Sequence, residues 1–393
     1  MFVQNFKMNI KYIFRFYRNE FNSSVILLIK NSLNSIMKKI LSSVFLLFTI
    51  FLFSSSTSAQ ESNFQFYGDI RLAHIGVDTK ADGLGGDNTL LRVRPGARFL
   101  FNENHSFSGR LVYLVSKELE PLTFTVKADG NRALAYGSVS FDEFYYQFQN
   151  SDLQLKLGRF QHSINVHSNA KRSHLKFQSN ANFVHWTDGL YIKKSVTSDW
   201  YSELVLEYQN RNNLTHPYSF PLNFGKSENN FAGYLNFENR KRDDNNIIQK
   251  GFGIFIAPNA YSKPDGYTTY IAFDSRIAID IPKKELLNGG SFRIAGELGQ
   301  NLNTDFSDGT SAVMSFGINN FADRHEFMIE FAKTDAQWLT ATAYRFNSDE
   351  VELRYRYFAT SKLNFDVRYR IRESRSDLVP TQYSTFLRAT YSF

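Results

Sequence analysis

The last twelve residues of the chain, 382–393, alternate between apolar and polar side chains, as a strand with two different faces does. One face carries Tyr383, Leu387, Ala389, Tyr391 and Phe393. Similar segments recur along the chain, which is typical of a barrel with lipid outside and water inside. We therefore expect an all-β fold, a transmembrane antiparallel up-and-down β-barrel.

Counting period-two segments predicts sixteen strands. Their ranges are 64–76, 89–101, 106–117, 138–149, 153–160, 183–194, 200–209, 230–239, 247–257, 267–281, 290–299, 310–320, 325–333, 348–358, 362–373 and 382–393. The connections alternate between short and long, as short periplasmic turns and long extracellular loops do. A secreted β-sandwich is the alternative, but its loops lack this rhythm.

Strand parity constrains one ambiguous segment, residues 338–346. A strand there would bring the total to seventeen and place the two ends of the barrel on opposite sides of the membrane. We assign the segment to a long seventh external loop. A barrel of 18 strands is the alternative count.

The N-terminal region predicts export. Residues 37–59 combine a basic start, an apolar stretch and a small-residue end at Ala59, which is the pattern of a cleaved signal peptide. We interpret residues 1–36 as a spurious upstream extension with Met37 as initiator; a genuine long leader is the alternative. Residues 60–393 would then form the barrel.

Charge and cysteine content exclude several classes of function. The first 59 residues hold seven of the 45 Lys and Arg but one of the 38 Asp and Glu, so the remainder is nearly neutral. The basic isoelectric point therefore gives no reason to expect a nucleic-acid partner. The absence of cysteine excludes disulfide frameworks and cysteine-based metal sites.

Strand phase predicts an arginine wall inside the barrel. Eleven arginines share the inward phase on the first three and last three strands, which are neighbours across the closure. The arginine wall consists of Arg71, Arg92, Arg94, Arg98, Arg110, Arg354, Arg356, Arg368, Arg370, Arg372 and Arg388. We expect these residues to line a pore.

The opposite arc is predicted to be acidic. The acidic wall consists of Glu203, Glu207, Glu238, Asp274, Asp280, Glu297, Glu326 and Glu330, with Arg276 and Arg293 between them. Two walls of opposite charge create a field across the lumen that orients polar solutes. The alternative is that these charges only solvate the interior and pair with neighbours, as Glu352 and Arg354 would.

The fifth-to-sixth connection, residues 161–182, is basic and contains no acid. Two readings stay open: a solvated loop that contacts lipopolysaccharide phosphate, and a constriction loop folded into the pore. Its basic residues are His162, His167, Lys171, Arg172, His174 and Lys176.

The chain resembles the Gram-negative porins over its whole mature region. The stretches that carry the resemblance are 66–68 (Phe-Tyr-Gly), 157–160 (Leu-Gly-Arg-Phe), 186–191 (Trp-Thr-Asp-Gly-Leu-Tyr) and 391–393 (Tyr-Ser-Phe). The resemblance implies an outer-membrane location, an infolded third loop and a homotrimer. It also implies that the barrel-assembly machinery reads the terminal aromatic signal, Tyr391 and Phe393. The third loop of the family corresponds to residues 161–182 of this chain. Family porins usually carry acids in that loop. The basic character of residues 161–182 shifts the expected preference toward anions.

No catalytic, cofactor or metal site is predicted. The eight histidines lack metal-ligand spacing, and no nucleophile elbow, P-loop or dinucleotide fingerprint occurs. Three hypotheses remain. They are a diffusion channel for small hydrophilic solutes that favours anions, a selective channel for phosphate or acidic oligosaccharides such as alginate, and a structural or enzymatic barrel with a blocked lumen. Inward tyrosines that stack sugars would favour the second; Tyr67, Tyr145, Tyr201, Tyr234 and Tyr270 have that phase.

Overall fold

The computed structural model describes most of the chain from residue 63 onward. The described residues are 63–79, 86–116, 123–124, 134, 137–162, 164, 184, 186–208, 222, 224, 229–283, 285–305, 307–340, 347–376 and 379–393. The upstream extension 1–36 and the predicted signal 37–59 lie outside these residues. So do His167, Lys171, Arg172, His174 and Lys176 of the basic connection.

All strands belong to one sheet. They are β1 Phe64–Thr79, β2 Gly86–Leu100, β3 His105–Ser116, β4 Thr123–Phe124, β5 Ser138–Gln149, β6 Leu153–Phe160, β7 Thr187–Ser195, β8 Trp200–Tyr208, β9 Phe231–Asn239, β10 Ile247–Lys263, β11 Gly266–Pro282, β12 Ser291–Asn301, β13 Thr310–Phe321, β14 His325–Thr334, β15 Ser348–Phe358, β16 Leu363–Ser374 and β17 Gln382–Ser392. Within the described ranges, no helix is long and apolar enough to cross a membrane.

The sheet closes on itself, because β1 pairs antiparallel with both β2 and β17. The two-residue β4 lies outside this ring and pairs in parallel with β5. The remaining sixteen strands form a closed antiparallel barrel, which confirms the predicted fold class and strand number.

Burial alternates along the strands as a membrane barrel requires. Large apolar side chains such as Leu157 and Phe231 are 57 % and 58 % exposed on the outer surface. Charged side chains of the opposite phase, such as Arg92 and Asp274, are fully buried. A chain that buries its charges and exposes its apolar side chains has the pattern of a barrel surrounded by lipid.

Several predicted bounds were wrong. The sixth strand begins at Thr187 rather than at 183. Strands β10 and β11 continue as a paired hairpin to Lys263 and Gly266, beyond the predicted end at 257. A register shift between Ala257 and Tyr261 breaks the alternation there. In the predicted seventh loop, residues 335–340 lie outside the strands as expected, while 341–346 fall outside the described part.

The two ends of the barrel meet at a glycine. Phe393 and Gly68 exchange backbone hydrogen bonds at 3.1 and 3.2 Å. A Cβ atom on Gly68 would lie 2.1 Å from the carbonyl oxygen of Arg94 and 2.8 Å from the Phe393 ring. Glycine at position 68 therefore lets the last aromatic ring sit against the first strand.

We expect Gly68→Val to impair closure of the barrel, because overpacking of this kind costs about 1–3 kcal/mol. Closure is measured as the fraction of refolded protein that runs on gels as the compact, heat-modifiable band. Gly109→Val is the matched control, since a Cβ at that position meets nothing within 4 Å. Equal folded fractions for the two variants would contradict the role of Gly68.

Candidate functional site

All eleven residues of the arginine wall lie on the inward phase of six adjacent strands, β15, β16, β17, β1, β2 and β3. Carboxylates join most of their side chains into ion-pair networks. Two networks contain most of the wall, one on β14–β17 and one on β1–β5.

The first network centres on Asp366 of β16, whose side chain is fully buried. Arg354 and Arg368 each donate two hydrogen bonds to this carboxylate, with distances between 2.5 and 3.1 Å. Arg388 donates a further bond of 2.5 Å to Oδ2. Three guanidinium groups therefore share one carboxylate, although Arg354 and Arg368 are themselves cross-strand partners.

A ladder of paired charges continues this network toward the loop side. Arg370 donates to Glu352 at 2.6 and 2.9 Å and lies 3.1 Å from Glu350. Arg372 contacts Glu350 at 2.7 and 2.9 Å. The cross-strand register places Glu352 opposite Arg370 and Arg354 opposite Arg368.

The second network joins β1, β2, β3 and β5. Asp69 accepts hydrogen bonds from Arg92 at 3.0 Å and from Arg94 Nε at 2.7 Å. Asp142 receives two bonds of 2.9 Å from Arg110 and one of 3.2 Å from Arg94. Arg94 thus bridges the carboxylates of β1 and β5.

A bulge explains why sequence reasoning missed half of this network. Between Arg110 and Leu111 of β3 the register with β5 shifts by one residue. Consecutive residues Asp142 and Glu143 therefore both face inward, which a strict two-residue period does not allow. Glu143 accepts from Arg110 at 2.9 Å and from the Tyr67 hydroxyl at 2.6 Å.

The other three arginines of the wall, Arg71, Arg98 and Arg356, each bind a partner outside the groups described above. Arg71 donates to the hydroxyl of Thr390 across the closure at 3.1 Å, and Arg98 donates to Ser108 at 3.1 Å. Arg356 lies 3.0 Å from Glu326 of β14. Glu326 was predicted to lie opposite the arginines, and the structure instead places it at their edge.

Positive charge is in excess on this side of the barrel. The inward phase of β14–β17, β1–β3 and β5 carries the eleven arginines and eight carboxylates. The carboxylates are Asp69, Asp142, Glu143, Glu326, Glu330, Glu350, Glu352 and Asp366. Asp69 was left out of the sequence prediction, although the two-residue period could have found it, since it lies two residues before Arg71.

The remaining acidic residues lie on β8, β9, β11 and β12. Glu238 contacts Tyr201 at 2.5 Å and Arg276 at 3.1 Å, and it also binds Arg240. Asp280 accepts from Ser291 at 2.6 Å and pairs with Arg242 and Arg293.

Negative charge is in excess across this second arc. The inward phase of β6–β13 carries six carboxylates and five basic residues. The carboxylates are Glu203, Glu207, Glu238, Asp274, Asp280 and Glu297, and the basic residues are Lys156, Lys193, Lys263, Arg276 and Arg293. The two arcs of the interior therefore carry opposite net charge.

Aromatic residues also enter the interior. Lys156 lies 5.0 Å from the Tyr145 ring and 5.6 Å from the Tyr191 ring. Phe386 of β17, which the sequence analysis did not assign to the lining, lies 5.1 Å from the Arg370 guanidinium. Tyr145, Tyr234 and Tyr270 are buried in a core cluster.

The basic connection after β6 is described at a few positions. Gln161 exchanges contacts of 3.2 Å with Arg94 and Asp142. The His162 ring packs 5.0 Å from the Tyr191 ring, and Ile164 is buried. The start of this connection therefore lies against the inner wall. Across the described residues, no group of three or more His, Asp or Glu side chains is arranged to hold a metal ion.

Comparison with known proteins identifies the fold. No family model and no curated protein sequence matches the chain. Among solved structures, Pseudomonas putida OprB is 12 % identical, with a TM-score of 0.58 over 84 % of this chain and 94 % of that chain. Salmonella typhi OmpF is 11 % identical, with a TM-score of 0.54 over 84 % and 97 %.

The outer membrane protein OpdK from Pseudomonas aeruginosa is 12 % identical, with a TM-score of 0.51 over 84 % of this chain and 98 % of that chain. These neighbours are Gram-negative outer-membrane porins. The chain therefore has the closed, sixteen-stranded antiparallel barrel fold of Gram-negative outer-membrane porins.

Proposed function

We propose that the chain is an outer-membrane porin, a water-filled channel for passive diffusion of small hydrophilic solutes with a preference for anions. The observation that carries this proposal is the excess of inward arginines over carboxylates on β14–β17, β1–β3 and β5. Fixed positive charge in a narrow pore concentrates anions and repels cations. The chain acts in this proposal as a channel and not as an enzyme.

The proposal includes a location and partners. Residues 37–59 direct export, and the barrel lies in the outer membrane of a Gram-negative bacterium, in contact with lipid and lipopolysaccharide. The barrel-assembly machinery inserts it and reads Tyr391 and Phe393, and three copies form a homotrimer. The exposed apolar outer surface supports the membrane location.

The charges inside the barrel support a transverse field. Arginines exceed carboxylates on one arc, while carboxylates exceed basic residues on β6–β13. Extensive pairing within each arc holds the side chains in place and lowers the local charge. We propose that the unbalanced remainder, and not the full count of arginines, acts on permeating ions.

A second candidate function is a selective channel for anionic ligands such as phosphate or acidic oligosaccharides. The observation that favours it is the gathering of three guanidinium groups, those of Arg354, Arg368 and Arg388, around the single carboxylate of Asp366. Planar guanidinium groups match carboxylate and phosphate oxygens. One neighbour in fold, OpdK of Pseudomonas aeruginosa, was solved with vanillate.

We expect the refolded mature chain to form ion-conducting channels in a planar bilayer, with a reversal potential under a salt gradient that shows anion preference. The physical reason is the net positive charge of the arginine wall. Block of the current by micromolar phosphate or an acidic oligosaccharide would support the selective channel instead. A folded barrel without conductance would contradict both functions.

A further inference from the structure

A smaller cluster of buried apolar side chains lies against β1–β3, and a larger one fills another side of the barrel interior. We call the larger set the interior cluster. Its buried members are Tyr145, Phe160, Ile164, Tyr191, Val205, Leu222, Phe224, Ala232, Tyr234, Phe255, Ala257, Ala260, Tyr261, Tyr270, Ala272, Trp338 and Leu339. Most are inward residues of β5–β11, and five come from connections between strands. Segments from outside the strands therefore complete an apolar core within this half of the barrel.

Residues 335–340, which follow β14, contribute Trp338 and Leu339 to the cluster. The Leu339 amide donates to the Tyr270 hydroxyl on β11 at 3.1 Å. Asn301 of β12 donates to the Gln337 carbonyl at 2.7 Å, and the Tyr261 hydroxyl donates to the Gln337 side chain at 3.2 Å. The segment thus crosses from β14 past β13 and β12 to β11 and β10.

Trp338 of this segment is fully buried. Its indole ring occupies the space above Gly299, where a Cβ atom would lie 2.5 Å from the ring. Gly299 lies two residues below the end of β12 and is the cross-strand partner of Asp274. The indole therefore lies below the rim of β12, at the level of the buried acidic residues.

Arg375 holds the base of the connection between β14 and β15. It contacts Asp349 at 2.6 and 3.2 Å and binds Asp335 as well, while its amide donates to the Asn347 carbonyl at 3.1 Å. The hydrogen bonds that Arg375 donates to Asp349 and Asp335 raise its pKa above its ordinary value. Both ends of the connection are thus joined at one guanidinium that stays charged.

Exposure of the interior charges differs between the two sides. Side chains of Arg368, Arg370 and Arg372 on β16 are 13 %, 12 % and 19 % exposed. The side chains of Glu238, Asp274 and Arg276, on the side of the interior cluster, are fully buried. The arginines of β16 are therefore more open to solvent than the three charged residues around Asp274.

We propose that residues 335–340, seated by Trp338 on Gly299, seal the β7–β12 side of the interior, so that the aqueous path runs along β15–β17. This inference rests on the proposed channel function and locates its path. Solutes then meet the arginine wall directly, while the acidic residues near Asp274 stay behind the interior cluster. Trp338 is a positioning residue that sets which charges the solute meets.

Cysteine labelling tests the location of the path, because the chain has no native cysteine. Ala272→Cys reports the sealed side, and Ser384→Cys reports the inward phase of β17. Both positions lie within a few residues of the loop-side end of their barrel wall. With a water-soluble thiol reagent on the folded barrel, we expect Ser384→Cys to react and Ala272→Cys to stay unlabelled. Equal labelling would overturn the proposal.

Trp338→Ala tests the seal itself. In the Ala272→Cys background it should restore labelling, and in the bilayer it should raise conductance and reduce anion preference as the acidic side opens. If Trp338→Ala does not fold, Gly299→Ala takes its place, since the added Cβ displaces the indole. A folded variant of either kind that leaves Ala272→Cys protected would overturn the role of Trp338. Trp200→Ala, at the start of β8 and outside the interior cluster, is the matched control.

The labelling readout separates this inference from the proposed function. Selective labelling of Ser384→Cys without measurable conductance would support the sealed side and sink the channel function. Conductance with equal labelling at both positions would support the channel function and contradict the sealed side.

Discussion

Asp366→Asn is expected to destabilise the barrel more than any other single charge removal on the arginine wall. The replacement keeps the shape of the side chain and removes the charge that Arg354, Arg368 and Arg388 share. Breaking a buried ion pair by removing one partner costs about 3–5 kcal/mol, because the remaining charge stays buried without compensation. Here three guanidinium groups lose their common carboxylate at once.

The measurement is the unfolding midpoint in denaturant of the barrel in detergent micelles. Asp199→Asn is the control, since the Asp199–Lys241 pair at 2.8 Å lies in an exposed turn and an exposed pair stabilises little. Adding Arg388→Gln to Asp366→Asn should recover part of the loss, because one of the three uncompensated charges is then removed. A midpoint for Asp366→Asn equal to that of the parent chain would show that water, and not Asp366, compensates these arginines.

The position of these arginines was predictable from sequence because a closed barrel has a strict two-residue period. Side chains of one phase go inward, and register cannot slip by one without reversing every face. The phase of Arg368, Arg370 and Arg372 followed from that rule alone. That the first and last strands are neighbours followed from the closure of the barrel.

The pairing within the wall was not predictable to the same degree. Which arginine lies opposite Glu352 depends on cross-strand register, which strand phase leaves open. The bulge that turns both Asp142 and Glu143 inward has no sequence signal in a period-two count. The arginine wall thus looked more positive in the sequence than it is in the fold.

Connections were the least predictable part. Trp338 alternates with its neighbours well enough to resemble a strand, and parity alone argued against one. The Trp338 ring packs above Gly299, and a contact between residues so far apart in the chain has no signal in the local sequence pattern. The long paired hairpin of β10 and β11 was hidden by the bulge near Ala257.

A reciprocal pair of double variants is expected to shift ion preference in opposite directions. Arg370→Gln with Arg372→Gln leaves Glu350 and Glu352 without their arginines and makes this stretch of β15 and β16 negative. Glu350→Gln with Glu352→Gln leaves the two arginines and makes it positive. The first variant should favour cations and the second should strengthen the preference for anions.

The size of the shift follows from Coulomb's law. A unit charge about 8 Å from an ion in a water-like medium changes its energy by about 0.5 kcal/mol, so two charges change the permeability of one ion about fivefold before salt screening. Reversal potentials under a salt gradient measure the ratio, and they should move further apart at low ionic strength. Both variants remove two charges of one kind from the same ladder, so each serves as the control for the other's structural damage. Shifts of the same sign in both would mean that the ladder supports the wall without acting on the ions, and the anion preference would then have to come from elsewhere in the lumen.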